Sequence, residues 1–213
     1  MTPTATLIKI IITRTNKLNQ IENMPYSLTN QFLIAMPNLH DHAFEHSVIV
    51  MCQDDDKGAM GFMINKPLKH KLKDLFKELK IDYSMTSHDI LTKHIHIGGP
   101  VDIDNIFVLY RTPYDHEYKA SIRITGELTV TTSPDILHDL AQNVTPSQYL
   151  VIAGCANWQQ NQLLSEIKQN SWLNTQINYD ILFAKEDHFK WEQTFNLAGL
   201  RSPAQLAPGF GHA

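Results

Sequence analysis

Gly58-Ala59-Met60-Gly61-Phe62-Met63-Ile64-Asn65-Lys66-Pro67 is the stretch on which the fold turns. Successive positions are apolar, as in a strand covered on both faces, and Asn65 and Pro67 close it. The glycines inside it point to close backbone approach or a bulge. It reads as the central strand of the domain. A β-branched strand over 47–52 feeds it through an acidic hairpin loop, Gln53 to Lys57. Beyond it, Leu68, Leu72, Leu75, Phe76 and Leu79 recur with helical spacing, and Lys69, Lys71, Lys73, Lys77 and Lys80 fill the other face. Pro67 is expected to open that helix.

Upstream, 31–36 reads as a strand stopped by Pro37. Downstream, 81–93 is a polar connection, and the alternating 94–97 runs into the turn signal Gly98-Gly99-Pro100. Residues 106–110 form a strand, and 121–125 and 128–132 a pair around Gly126-Glu127. Ser133-Pro134-Asp135 opens a helix with Ser133 as its cap. The apolar strand 149–153 is expected to break at Gly154-Cys155-Ala156-Asn157 and enter a helix carrying Trp158, Leu163, Leu164 and Ile167. A further strand is expected over 177–183. Asp187 should cap a last helix with Trp191 and Phe195 one turn apart, ending near Gly199. Hairpins interleaved with helices predict a single α+β domain and not a doubly wound one.

With 213 residues, 43% apolar and 19% charged, the chain can bury one sizeable core. The domain is expected over 24–213. Residues 1–23 are either an N-terminal extension or lie upstream of a true start at Met24. The early isoleucine cluster is far short of the roughly 20 residues a spanning helix needs, and no small-residue cleavage site follows it. Two cysteines make no disulfide framework, so a reducing cytoplasm is the expected compartment. A net charge of −4 gives no global case for nucleic acid.

Several motifs converge on one family: Phe32 with Ala35-Met36-Pro37, then Asp41, Phe44 and Ser47, and Gly58-Ala59-Met60-Gly61 with Asn65 and Pro67. Gly98-Gly99-Pro100-Val101 with Phe107-Val108-Leu109 follows, then Gly154, Ala156, Trp158, Gln162-Leu163, Glu166, Trp172, Phe183 and Trp191. In these the chain resembles the bacterial YqgE/AlgH family. The resemblance implies a compact, cytoplasmic α+β protein with a mixed, partly barrel-like β-sheet flanked by helices, and no particular reaction. One relative is linked to control of alginate production, so it also implies, by analogy alone, a transcriptional regulator. The family's usual Gly-Tyr-Ala-Gly-Trp is here Gly154-Cys155-Ala156-Asn157-Trp158. Its Gly before Gln162 is Asn161, and its His after Leu109 is Tyr110.

Two glycine-bearing loops are the candidate ligand site: Gly98, Gly99 and Pro100 on one side, and Gly154, Cys155, Asn157 and Trp158 on the other. A strand-to-helix turn at Gly154 would leave backbone N–H groups free for an anion, although GxGxxG and the Walker lysine are absent. The competing reading is tight turns that let strand and helix pack. Cys52, beside Asp54, Asp55 and Asp56, reads as a small buried hydrophobe. Cys155 would line the opening. His40, His42 and His46 cluster, and His94 and His96 share a strand face. No HExxH or cysteine pair supports zinc, so no metal or cofactor is expected. Asp74 and Glu78 interrupt the lysine face, so direct nucleic-acid binding is not expected, and no membrane partner is. The expected function is a binding or regulatory module for a small molecule or protein partner. The alternative is a thiol-dependent or hydrolytic enzyme using Cys52 or a pocket near Trp158.

Overall fold

The protein's structure, a computed structural model, describes residues 27–113, 116–184 and 186–200. The expected N-terminal extension, Met24 and the tail beyond 200 lie outside the described residues.

The hairpin forms as its sequence dictates. Strand β1 (Gln31–Ala35) pairs antiparallel with β2 (Val48–Asp55), which pairs with β3 (Gly58–Met63) across a bulge between Met51 and Gln53. Asp55 Oδ1 accepts a hydrogen bond from the Lys57 amide in the turn. Asn65 then stitches the end of the hairpin: its Oδ1 accepts from the Val48 amide at 2.9 Å, and its Nδ2 donates to the His46 carbonyl at 2.8 Å.

Residues Pro67–Lys71 form a short strand, β4, and the helix is α1, Leu72–Glu78. The expectation of a helix from Pro67 is therefore five residues early at its start and too long. β4 pairs only loosely, with β5 (His94–Ile97), at the sheet's rim, where a proline's missing N–H costs nothing. The Asp74 carboxylate accepts from the Lys71 amide and fixes the helix start there. Leu72, Leu75 and Phe76 are buried as expected, whereas Leu79 is exposed. The connection after it holds a short helix, α2 (His88–Leu91), and buries Ile81, Thr86 and Ile90.

Strand β6 (Val101–Arg111) carries β8 (Leu128–Thr131), and β8 carries β7 (Ser121–Arg123). Helix α3 spans Asp135–Ala141, with Pro134 at the cap position; Ser133 sits one residue early and its hydroxyl bonds Asp135 instead.

The largest correction concerns β9. It does not break at Gly154 but runs from Tyr149 to Gln159, and the helix α4 begins only at Gln162 and ends at Lys168. Hydrogen bonding on both flanks keeps it extended. β6 lies along one side of the first part of β9, from Tyr110 opposite Tyr149 to Val101 opposite Cys155, with an irregularity between Ile106 and Val101. On the other side β5 runs parallel from Val151 to Ala153, and β3 then takes over antiparallel from Ala156 to Gln159. β9 is thus shared by two sheets, and the exchange of neighbours falls at Gly154, whose φ is +73°. Along the main path the strand order is β10-β1-β2-β3-β9-β6-β8-β7, a curled half-barrel of α+β class.

The expected strand over 177–183 is also corrected. β10 is Trp172–Gln176, the edge partner of β1, and Asp180–Ala184 make one wide π-helical turn. In the final helix α5 (Asp187–Leu197) the cap position falls on Glu186, whose side chain makes no capping bond, and Asp187, expected there, turns inward to Lys190. Trp191 and Phe195 stack edge to face at 5.0 Å, and Trp191 Nε1 donates to the Ala35 carbonyl, pinning α5 on the sheet. Alternation along β9 separates the two faces of the core: Val151 joins Leu72, Phe76 and Ile136, while Ile152 joins Phe32, Val50, Phe62 and Leu182.

At Gly154 the backbone is left-handed and a Cβ would lie 2.8 Å from the Gly99 carbonyl oxygen. Gly154→Val should therefore cost about 3 kcal/mol or more. Gly126, where a Cβ meets nothing, should accept valine within about 0.5 kcal/mol. Urea unfolding measures both, and equal costs would contradict a tight junction.

Candidate functional site

The two glycine segments do lie together, packed backbone to backbone. A Cβ on Gly98 would strike the Gly154 carbonyl, and one on Gly99 the Cys155 carbonyl. Gly98 donates to the Ala153 carbonyl and accepts from the Met63 amide, both at 2.8 Å, so it bridges β9 and β3. Pro100 is exposed. Cys155 and Trp158 are buried within β9, with no strand-to-helix turn to free their amides. Asn157 is exposed and, with Trp158, Gln53, Lys57, Met60 and Gln162, lines a shallow groove at the far end of β3 and β9.

Both cysteines are interior. Burial pushes the Cys52 thiol far up, with Cys155 adding to the shift. Cys155 is raised by burial first and by Asp102 second, against a weak contact to Asn157 at 3.8 Å. Neither environment supplies the positive surroundings that make a thiolate.

Charge converges instead between β5, β9 and the start of α5. Lys190, 1% exposed, donates to the Ile64 carbonyl at 3.0 Å and pairs with Asp187 Oδ1 at 3.0 Å. His96, 5% exposed, places Nε2 3.0 Å from the same oxygen, off the line of a straight hydrogen bond. His96 Nδ1 is buried and has no hydrogen-bond partner among the described residues, and neither has the hydroxyl of Tyr149. His96, Asp187 and Lys190 line a cleft of about 160 Å³ with His94, Leu150 and Phe183, whereas the Tyr149 ring belongs to the apolar cluster on the other face of the sheet. His94 Nδ1 donates to the Leu68 carbonyl, 2.8 Å away, and the Lys93 ammonium lies over the Tyr149 ring at 4.8 Å.

The electrostatics follow from the packing. Burial opposes ionisation of Asp187, but the adjoining His96 and Lys190 outweigh it and hold the carboxyl at about 2. Burial lowers Lys190, and Asp187 resists that shift. Burial alone raises the Tyr149 phenol, which therefore stays protonated and can donate. Among the described residues no group of three or more His, Cys, Asp or Glu could hold a metal ion, and His40, His42 and His46 form no such group.

A family model described as AlgH-like matches residues 32–202. The chain belongs to that family. It is 39% identical to a UPF0301 protein of Vibrio cholerae over 189 residues, covering 88% of this chain and all of the relative. It is 40% identical to one from Francisella tularensis subsp. holarctica over 172 residues, covering 80% and 88%. The solution structure of AlgH from Pseudomonas aeruginosa superposes with a TM-score of 0.71 at 31% identity, over 90% of this chain and 98% of that one. A crystal structure of a Corynebacterium diphtheriae protein shares the fold, with a TM-score of 0.63 at 16% identity over 82% and 88%.

The AlgH-like residues have visible structural work. Glu166 accepts from the indole N–H of both Trp158 and Trp172, at 3.0 and 2.8 Å, and from Gln162. Phe44 closes that aromatic group against both indoles. Asn161, where the family pattern has glycine, sits in the left-handed region at φ +61°, which asparagine tolerates better than other side chains.

Lys190 escaped the reading of the sequence, Asp187 entered it only as a helix cap, and His96 only as a metal candidate. A signal was present: Asp187, Lys190, Trp191, Thr194 and Phe195 share one face of α5, so an ion pair three residues apart lies within an apolar stripe. Its partner His96 is 91 positions away in sequence from Asp187 (187 − 96) and no local pattern joins them.

Asp187 sets an acid dependence. Its carboxyl, ordinarily at 3.8 and held at about 2 by the fold, contributes stability that is complete above about pH 4 and disappears as pH falls towards 2. The contribution is about 2 kcal/mol. Urea unfolding of the native protein should show this loss. The double variant Asp187→Asn/Lys190→Met should show a shallower one, and parallel profiles would contradict the assignment.

Proposed function

We propose that the protein is a binding module that responds to a small molecule held in the cleft over His96. What supports this most is a buried polar atom, His96 Nδ1, left without a partner among the described residues beside a desolvated lysine. Unsatisfied buried groups each cost about 1–3 kcal/mol, and structures keep few of them without a use. Gly98, Gly99 and Gly154 serve this site from behind, because their close approach fixes β5 and so the position of His96. Asn157 and Trp158, in their separate groove, fit a protein contact better than a deep ligand.

On this reading the protein works in the cytoplasm, and any regulatory effect passes through ligand capture. Direct duplex binding is not part of it. The basic face is broken by Asp74, which is engaged at the helix start, and by Glu78. Among the described residues no helix is long and apolar enough to cross a membrane. The thiol-enzyme alternative lacks an accessible thiolate, since Cys52 and Cys155 are both buried and both raised.

The protein isolated natively from its own cells should retain a small molecule visible by mass spectrometry. That molecule should shift the imidazole NMR signals of His94 and His96 when added back to the stripped protein. Retention of no small molecule, or one that shifts only signals around Asn157 and Gln162, would overturn the proposal.

A further inference from the structure

We propose that the open edge of β7 takes an extended segment of a partner protein as a further strand, and that this segment alternates apolar and acidic side chains. The surface is separate from the cleft over His96. β7 ends the strand order on one side, and among the described residues no strand lies beyond it. Along an antiparallel ladder the residues that bond a given neighbour alternate. The Ile124 amide donates to the Leu128 carbonyl and the Ala120 carbonyl accepts from Thr132, so Ala120, Ile122 and Ile124 turn their backbone groups to β8. The N–H and C=O of Arg123 then point outward, and among the described residues no backbone group meets them. Such an unmet pair on an exposed edge is a template for one more chain.

The side chains define which chain fits. On one face of the sheet directly opposed residues run Leu150, Leu109, Val130 and Ile122 across β9, β6, β8 and β7. The first three are buried and Ile122 is 51% exposed, so the row ends in open apolar surface. On the other face the row Tyr149, Tyr110 and Thr129 ends at Arg123, which is exposed and forms no ion pair among the described residues. Arg123 borders a polar cavity of about 300 Å³, where Glu117 is the one carboxylate among the described lining residues. A residue placed opposite Arg123 sets its side chain beside the guanidinium, and the next residue meets Ile122 on the other face. A carboxylate suits the first place and a β-branched apolar side chain the second. Lys119, also exposed, adds positive charge just before the strand. A second copy of β7 fits badly, because antiparallel self-pairing sets Arg123 against its own equivalent or against Lys119.

A short, charged edge that serves only to prevent pairing would refuse every strand alike. Three short, terminally blocked peptides separate the two roles: one of alternating valine and glutamate, its lysine counterpart, and the first peptide N-methylated at its glutamates. Opposite Arg123 the glutamate N–H is the one that bonds the edge, so methylation removes the ladder and keeps the charge. Each is titrated into the isotope-labelled full-length protein at fixed ionic strength, followed by amide NMR. The glutamate peptide should saturate, shift the Ile122 and Arg123 amides, and slow exchange of the Arg123 amide, which is fast in the free protein. The methylated peptide should do none of these. Arg123→Glu, a change on an exposed edge that should leave the melting temperature unaltered, should weaken the glutamate peptide about tenfold and favour the lysine one. Equal saturation by the glutamate peptide and either of the others overturns the inference, as does no saturation by any of them. An Arg123 amide already protected in the free protein overturns it too, since the chain itself or a second copy then holds the edge.

Discussion

Two backbone segments meet without side chains at Gly98, Gly99 and Gly154, and the rest of the molecule depends on that contact. Strand β9 has to change neighbours midway, from parallel β5 to antiparallel β3, while β6 stays on its other flank. The change is possible because Gly154 turns left-handed and because Gly98 can bond both β9 and β3 from the seam between them. Any Cβ there would enter a carbonyl oxygen of the facing chain. Two sheets therefore share one strand, and the curl of the half-barrel follows from the branch.

The branch also places the charged cluster. β5 is fixed against β9 only over Ile95 to Ile97, which puts His96 under the first turn of α5. The indole of Trp191 ties that helix to β1, and Lys190 reaches through the interior to the carbonyl of Ile64 at the end of the central hairpin. Stability alone does not account for this arrangement. A buried ion pair is often no better than well-packed apolar residues of the same volume, because desolvation offsets the attraction. A cluster that further leaves a buried histidine nitrogen unbonded lowers stability in the free protein. On the proposed reading, ligand contact is what recovers it.

Much of the fold was legible because it is local. The hairpin around Gly58 to Met63, the strand before it, the pair around Gly126 and the inner face of α1 all follow from alternation, turn residues and helical spacing. The failures have one physical cause. Gly154 and Asn157 look like a turn when only neighbours in sequence are weighed, yet hydrogen bonds from β3 and β6 hold the segment extended. Pro67 looked like a helix start for the same reason, and pairing with β5 made it an edge strand. The glycine segments were rightly placed near each other, but their contact is packing at the branch, and the cleft opens on the other part of β5. That cleft joins residues from β5, β9 and α5 whose separations exceed any local pattern, so only the folded chain assembles it.

Amide hydrogen exchange tests the central claim most directly. If the branch is the rigid origin of the fold, the amides of Gly98 and Met63, which bond across it, should exchange only through global unfolding, with the same urea dependence as Ile152 in the core of β9. Exchange of Gly98 and Met63 through a separate, urea-insensitive opening shared with the loosely paired β4 edge would contradict it.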